Sequence, residues 1–87
     1  MLTNELKAKL DNYISQLEEA NPQYGFSYTI GKKYIRVVEN FWGQEAVWCF
    51  VDADGYLYKA EGWNRPAKGI RGHVDRPILR LEGFYAR

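Results

Sequence analysis

Between Leu6 and Leu17 the apolar positions fall at Leu6, Leu10, Tyr13, Ile14 and Leu17, a spacing that puts all five on one stripe of a helix. The pattern predicts an amphipathic helix over about residues 3–20. Thr3 stands at the N-cap, and Glu5 complements the dipole in the first turn. Asn21-Pro22 ends the pattern, because Pro lacks the N–H that a helix interior uses and disfavours helical geometry in the residue before it. The outward face, with Lys7, Asp11, Glu18 and Glu19, reads as a solvated surface.

From Tyr24 the period changes to two. Tyr24, Phe26, Tyr28 and Ile30 alternate with Gly25, Ser27 and Thr29, which predicts a half-buried strand over 24–30. Gly31-Lys32 is the turn into a second strand over 33–39, rich in Tyr, Ile and Val. Asn40 to Gly43 breaks the run, and a third, mostly apolar strand follows over 44–52. Asp52-Ala53-Asp54-Gly55 is a turn signal ahead of a fourth strand over 56–60. Residues 63–76 lack a sustained period and contain Pro66, Gly69 and Gly72, so a basic loop or a single helical turn is expected there. A tail over 77–87 either adds an edge strand or covers the core, with Phe84 and Tyr85 as anchors. The expectation is one α+β domain over 1–87, an N-terminal helix packed on a four-stranded antiparallel meander.

Size and charge narrow the function classes. Eighty-seven residues suffice for one core and not for two. Three Trp, seven Tyr and four Phe supply large buried areas where Leu, Ile and Val are few. The net charge of +1 argues against binding nucleic acid by bulk charge, yet residues 1–54 carry −3 and residues 55–87 carry +4. A single cysteine excludes an internal disulfide and a cysteine-cluster metal site. The longest apolar stretch, Ala46 to Val51, is far below the ~20 residues of a membrane-spanning helix, and the charged first twenty residues lack a secretory signal. A buried, inert Cys49 and a cytoplasmic setting are expected.

Catalysis finds few candidates. His73 is the only imidazole, and Cys49 lies in the most apolar segment, where burial raises a thiol pKa. A packed thiol and a surface imidazole are expected rather than a Cys49-His73 dyad. Asp52 and Asp54 precede a glycine, but no bidentate Glu follows at cation-loop spacing, so they read as a hairpin turn. A phosphate-cradling glycine loop is absent. The chain is read as a non-enzymatic binding module without metal or cofactor.

Two surfaces are candidates for that binding. The first is the 63–76 segment, where Arg65, Lys68, Arg71, His73 and Arg76 contact phosphates or another polyanion while Trp63 stacks on a base. Against it stands an arrangement in which Trp63 plugs the sheet and the basic residues pair with the acidic first half. The second is the aromatic set Trp42, Trp48, Tyr56 and Tyr58. Strict alternation sets Trp48 and Phe50 opposite Val47, Cys49 and Val51, leaving one face for a partner protein or a homodimer. The competing arrangement has Ile78, Leu79, Leu81, Phe84 and Tyr85 cover that face.

The run from Cys49-Phe50-Val51-Asp52 through Gly55, Tyr58-Lys59 and Trp63 to Pro66-Ala67-Lys68-Gly69-Ile70-Arg71-Gly72, with the strand Lys33-Tyr34-Ile35-Arg36-Val37-Val38 before it, resembles a group of small bacteriophage proteins. These carry F-V-D, a Gly turn, Y-K, a Trp and P-A-K-G-x-R-G after an N-terminal helix. The resemblance spans roughly residues 5–74 and leaves Pro77 to Arg87 outside. It implies a phage protein in the host cytoplasm that acts by binding nucleic acid or, alternatively, by inhibiting a host or anti-phage defence protein. It implies no specific activity.

Overall fold

The helix starts where its cap predicts. In the computed structural model, which describes residues 3–84 apart from the side chains of 81 and 82, the Thr3 hydroxyl accepts a hydrogen bond from the Leu6 N–H at 3.0 Å. Helix α1 spans Asn4–Ala20 and buries Leu6, Leu10, Tyr13 and Leu17. Five strands follow, β1 (Gly25–Ile30), β2 (Ile35–Phe41), β3 (Gln44–Val51), β4 (Tyr56–Gly62) and β5 (Arg65–His73), and a 3-10 turn closes at Leu81–Phe84. All neighbours pair antiparallel in the order β1-β2-β3-β4-β5, a meander with α1 on one face.

The sheet has five strands, not four, because the expected basic loop is mostly β5. Pro66, Gly69 and Gly72 hide the strand in the sequence. An edge strand tolerates such residues, and the three register irregularities against β4 accommodate them.

A second correction concerns Trp48. Between Val37 and Val38 the β2–β3 register shifts, so that Val37 lies opposite Cys49 and Val38 opposite Val47. Trp48 is the extra residue of a bulge, which breaks strict alternation and sends its indole to the same side as Cys49 and Val51. It is 2% exposed and meets Phe26 at 5.2 Å and Phe84 at 6.4 Å between centroids, both edge-to-face. Trp48 is therefore core and not an interface residue.

Phe84 reaches that position because the chain after β5 is bound down onto the helix and sheet. The buried Tyr13 hydroxyl donates to the Ile78 carbonyl at 2.8 Å, and the Asn21 amide donates to the carbonyls of Leu17 and Leu79 at 3.0 and 2.9 Å. Ile78 and Leu79 pack against the core. The tail thus covers the core up to Phe84, while the expected anchor Tyr85 lies outside the described residues. Burial raises the pKa of the Tyr13 hydroxyl above its ordinary value and pushes the Cys49 thiol, 3.9 Å from it, up to about 12.

Trp48→Ala is expected to cost about 3–5 kcal/mol by loss of burial and creation of a cavity. Tyr13→Phe, which leaves the Ile78 carbonyl without its donor, is expected to cost about 1–3 kcal/mol. Urea denaturation followed by circular dichroism measures both, and a Trp48→Ala cost below about 1 kcal/mol contradicts the role assigned to the indole.

Candidate functional site

The face away from the helix is built on one cross-strand row. Thr29 lies opposite Arg36, Arg36 opposite Phe50, Phe50 opposite Tyr58 and Tyr58 opposite Ile70. Their neighbours Ile35, Val51 and Leu57 belong to the helix-side core, so the row points the other way. Arg36 stands out in it, a charged residue between Ile35 and the Val37-Val38 pair.

Arg36 catches the tip of the β4–β5 hairpin. Its Nε donates to the Trp63 carbonyl and its Nη2 to Asn64 Oδ1, both at 2.7 Å, while the guanidinium carbon lies 5.0 Å from the Trp63 ring centroid. The irregular β4–β5 register gives the hairpin the bend it needs to reach across. Beneath it Phe50 is buried although it faces away from α1, with Tyr34 at 6.2 Å and Tyr58 a further 5.5 Å from Tyr34.

Between this tip and the β1–β2 turn lies a groove of about 190 Å³. Lys32 and Lys33 rim it, Tyr34 and Asn64 wall it, and Arg36 and Phe50 form its floor. The turn depends on Gly31, whose N–H donates to the Tyr34 carbonyl at 3.0 Å and whose hypothetical Cβ would sit 2.8 Å from that oxygen. Three cationic side chains line the groove, and the half-exposed Trp63 indole lies beside it against Arg36, an arrangement whose chemistry suits an anion next to a flat ring. Trp63 is 46% exposed, neither buried in the sheet nor free of it.

The residues expected from the 63–76 segment do not converge. Trp63 joins the groove through Arg36, but Arg65 pairs with Glu61 at 3.7 Å. Lys68 and Arg71 flank a shallow depression farther along β5. His73 is held at the far end of the strand, with Nε2 2.8 Å from the Asp54 carbonyl and Nδ1 accepting from the Asp75 N–H at 3.1 Å. Arg76 follows it, its N–H donating to the His73 carbonyl. A nine-residue strand at about 3.3 Å per residue separates these ends by up to about 26 Å. Lys32, Lys33, Tyr34 and Arg36 were not among the expected site residues. Their signal was a lysine pair in a turn and an arginine flanked by Ile35 and Val37 in a strand.

The Asp52-Ala53-Asp54-Gly55 segment is a turn. Asp52 Oδ1 accepts from the N–H groups of Asp54 and Tyr56 at 3.0 Å each, and Oδ2 accepts from the Tyr58 hydroxyl at 2.8 Å, which pushes the Tyr58 pKa up to about 12. Among the described residues no cluster of His, Cys, Asp and Glu is placed to hold a metal ion, and no helix is long and apolar enough to cross a membrane.

Of the expected aromatic interface set, Tyr58 is half-buried, and Tyr56 is exposed with its ring 4.8 Å from His73. Trp42 is different. It is 88% exposed at the two-residue β2–β3 turn, with φ 55° followed by Gly43 at φ 79°, the two positive values of a type I′ turn. Asn or Gly suits its position, and a bulky side chain there is strained. Its ring is braced by Phe41 at 6.0 Å, and Phe41 by Tyr24 at 5.2 Å.

Arg36→Ala is expected to release the hairpin tip, seen as faster amide exchange at residues 62–65 and a shifted Trp63 fluorescence, with a stability loss of about 1–2 kcal/mol. Unchanged exchange there contradicts the catch. Trp42→Asn is expected to stabilise the protein by roughly 1 kcal/mol, read from the urea midpoint, because Asn accepts the turn geometry that Trp resists.

No curated protein and no solved structure matches the chain. A family model covers nearly all of it, and by that match, over residues 1–85, the protein belongs to the family described as a family of unknown function (DUF7717).

Proposed function

We propose that this protein is a small phage accessory protein that binds single-stranded nucleic acid in the host cytoplasm, without catalysis, through the groove between the β1–β2 turn and the β4–β5 tip. The observation that carries the reading is the placement of Lys32, Lys33 and Arg36 around a groove, with the half-exposed Trp63 braced beside it by the Arg36 guanidinium. Ammonium and guanidinium groups neutralise phosphates, and an indole stacks on any base. A single strand bends to bring backbone and bases to both parts at once, whereas a duplex keeps its bases stacked inside.

A second reading rests on Trp42, a strained and almost fully exposed indole braced by aromatic contacts. An anchor held at a conformational cost suits inhibition of a host or defence protein by insertion into its pocket. In that case Trp42→Asn abolishes the inhibition while leaving nucleic-acid binding intact.

Fluorescence anisotropy with labelled single- and double-stranded oligonucleotides across a salt series tests the first reading. Three phosphate contacts give a log–log salt slope of about −2 on single strands. Trp63→Ala is expected to weaken binding about 5- to 100-fold, and the Lys32→Ala, Lys33→Ala double variant to flatten the slope by about 1.4. Absence of binding at low salt, or variants that bind as the parent does, overturns it.

A further inference from the structure

The two edges of the sheet are unlike. β5 carries Pro66, Lys68 and Arg71 and pairs irregularly with β4, devices that discourage another strand from adding to it. β1 has none of these. It pairs with β2 in an unbroken six-residue register, and no residue from Pro22 to Gly31 is charged. Its free edge follows from the ladder. The Gly31 N–H is used toward β2's side of the turn, and the Phe26 N–H points outward, where Glu18 Oε2 accepts it at 3.3 Å. The alternation then points the N–H and C=O groups of Tyr28 and Ile30 outward too, with no partner among the described residues. The Ile30 side chain beside them is 51% exposed.

The geometry points to β1 as a self-pairing edge that joins two copies of this chain, antiparallel and about a two-fold axis, into a continuous ten-stranded sheet. The occupant is a second copy because the strand is complementary to itself. An isologous contact places each residue near its own kind, which penalises any charge on the axis, and β1 carries none. One register keeps the Glu18 cap on Phe26 and satisfies all four outward groups. In it Tyr28 faces Ile30 of the other copy, each pair exchanging two backbone hydrogen bonds, and Thr29 faces Thr29 across the axis. The same register sets Lys32 of each copy toward the Phe26 end of the other, where Glu18 lies, so the flanks are complementary in charge. Ile30 becomes covered by Tyr28, whose hydroxyl is already tied to Asp11 Oδ1 at 3.0 Å. Since Thr29 also lines the groove described above, the two grooves meet at the axis.

Disulfide trapping tests the register. Thr29 occupies the non-hydrogen-bonded position of the new pair, where Cα atoms come within about 4.5 Å, inside the range a disulfide spans. Thr29→Cys is expected to give a covalent dimer under mild oxidation, whereas Ser27→Cys, equally exposed and on the same face, is not. The native Cys49 is buried and stays silent in both. Sedimentation of the unmodified protein is expected to show mass rising from 10.2 kDa to twice that with concentration. Ile30→Lys should weaken this association more than about tenfold with an unchanged circular dichroism spectrum. A protein that stays monomeric at the highest soluble concentration overturns the proposal. So does trapping at Ser27 as efficient as at Thr29, and the Thr29 result decides the matter should Ile30→Lys fail to fold. Oligonucleotide binding is not needed for any of these outcomes, so the dimer and the groove fail or stand separately.

Discussion

The burial of Trp48 against Phe26 and Phe84 is the contact around which the rest of the structure is arranged. A chain of this length has few large aliphatic side chains to fill the space between one helix and a five-stranded sheet, and an indole fills much of it. To bring that indole inward β3 gives up strict alternation at a bulge, and to cover it the C-terminal segment folds back over the helix. The bulge, the tail and the Tyr13 hydrogen bond are thus parts of one solution. Remove the tail and the indole faces water. Remove the indole and the tail has nothing to close over.

The opposite face follows a different logic. It has no helix to cover it, and Phe50 is sheltered by a hairpin that bends across the sheet and is held by the Arg36 guanidinium. A charged residue performs this task well because its planar fork satisfies a backbone carbonyl and an amide together while its flat surface lies against Trp63. The groove is a by-product of that arrangement. It is open where the hairpin tip and the β1–β2 turn do not quite meet, and the lysines of that turn rim the opening. The fold of the hairpin and the charge of the groove therefore share Arg36, which ties the shape of the groove to its charge.

Charge is divided in space as well as along the chain. The helix outer face carries Glu5, Asp11, Glu18 and Glu19, and the Lys7–Asp11 pair there is solvent-exposed, so it adds little to stability. Lys32, Lys33 and Arg36 gather on the other side, from the half of the sequence that is acidic in total. Arg65, Lys68 and Arg71 of the second half are spread along an edge strand instead of focused. Net charge of a segment was a poor guide here because a strand separates neighbours in sequence while a turn collects them.

The helix was legible from its stripe, its cap and its Pro stop, since each acts through neighbours within one turn. The first four strands were legible for the same reason, their two-residue period and turn residues being local. β5 was not, because Pro and Gly lower intrinsic strand preference and only pairing with β4 restores it. Trp48 was misplaced because a bulge depends on how two strands register, which no alternation along one strand reports. Likewise the sequence placed Trp63 among binding residues but could not show that Arg36, 27 positions away, would hold its carbonyl. What the sequence determined by itself is the α+β class, the polarity of the helix and the direction of the meander, all set by short-range periodicity. What only the tertiary structure decided is which aromatic is core and which cations share a groove, because long-range register and a hairpin's bend bring those groups together.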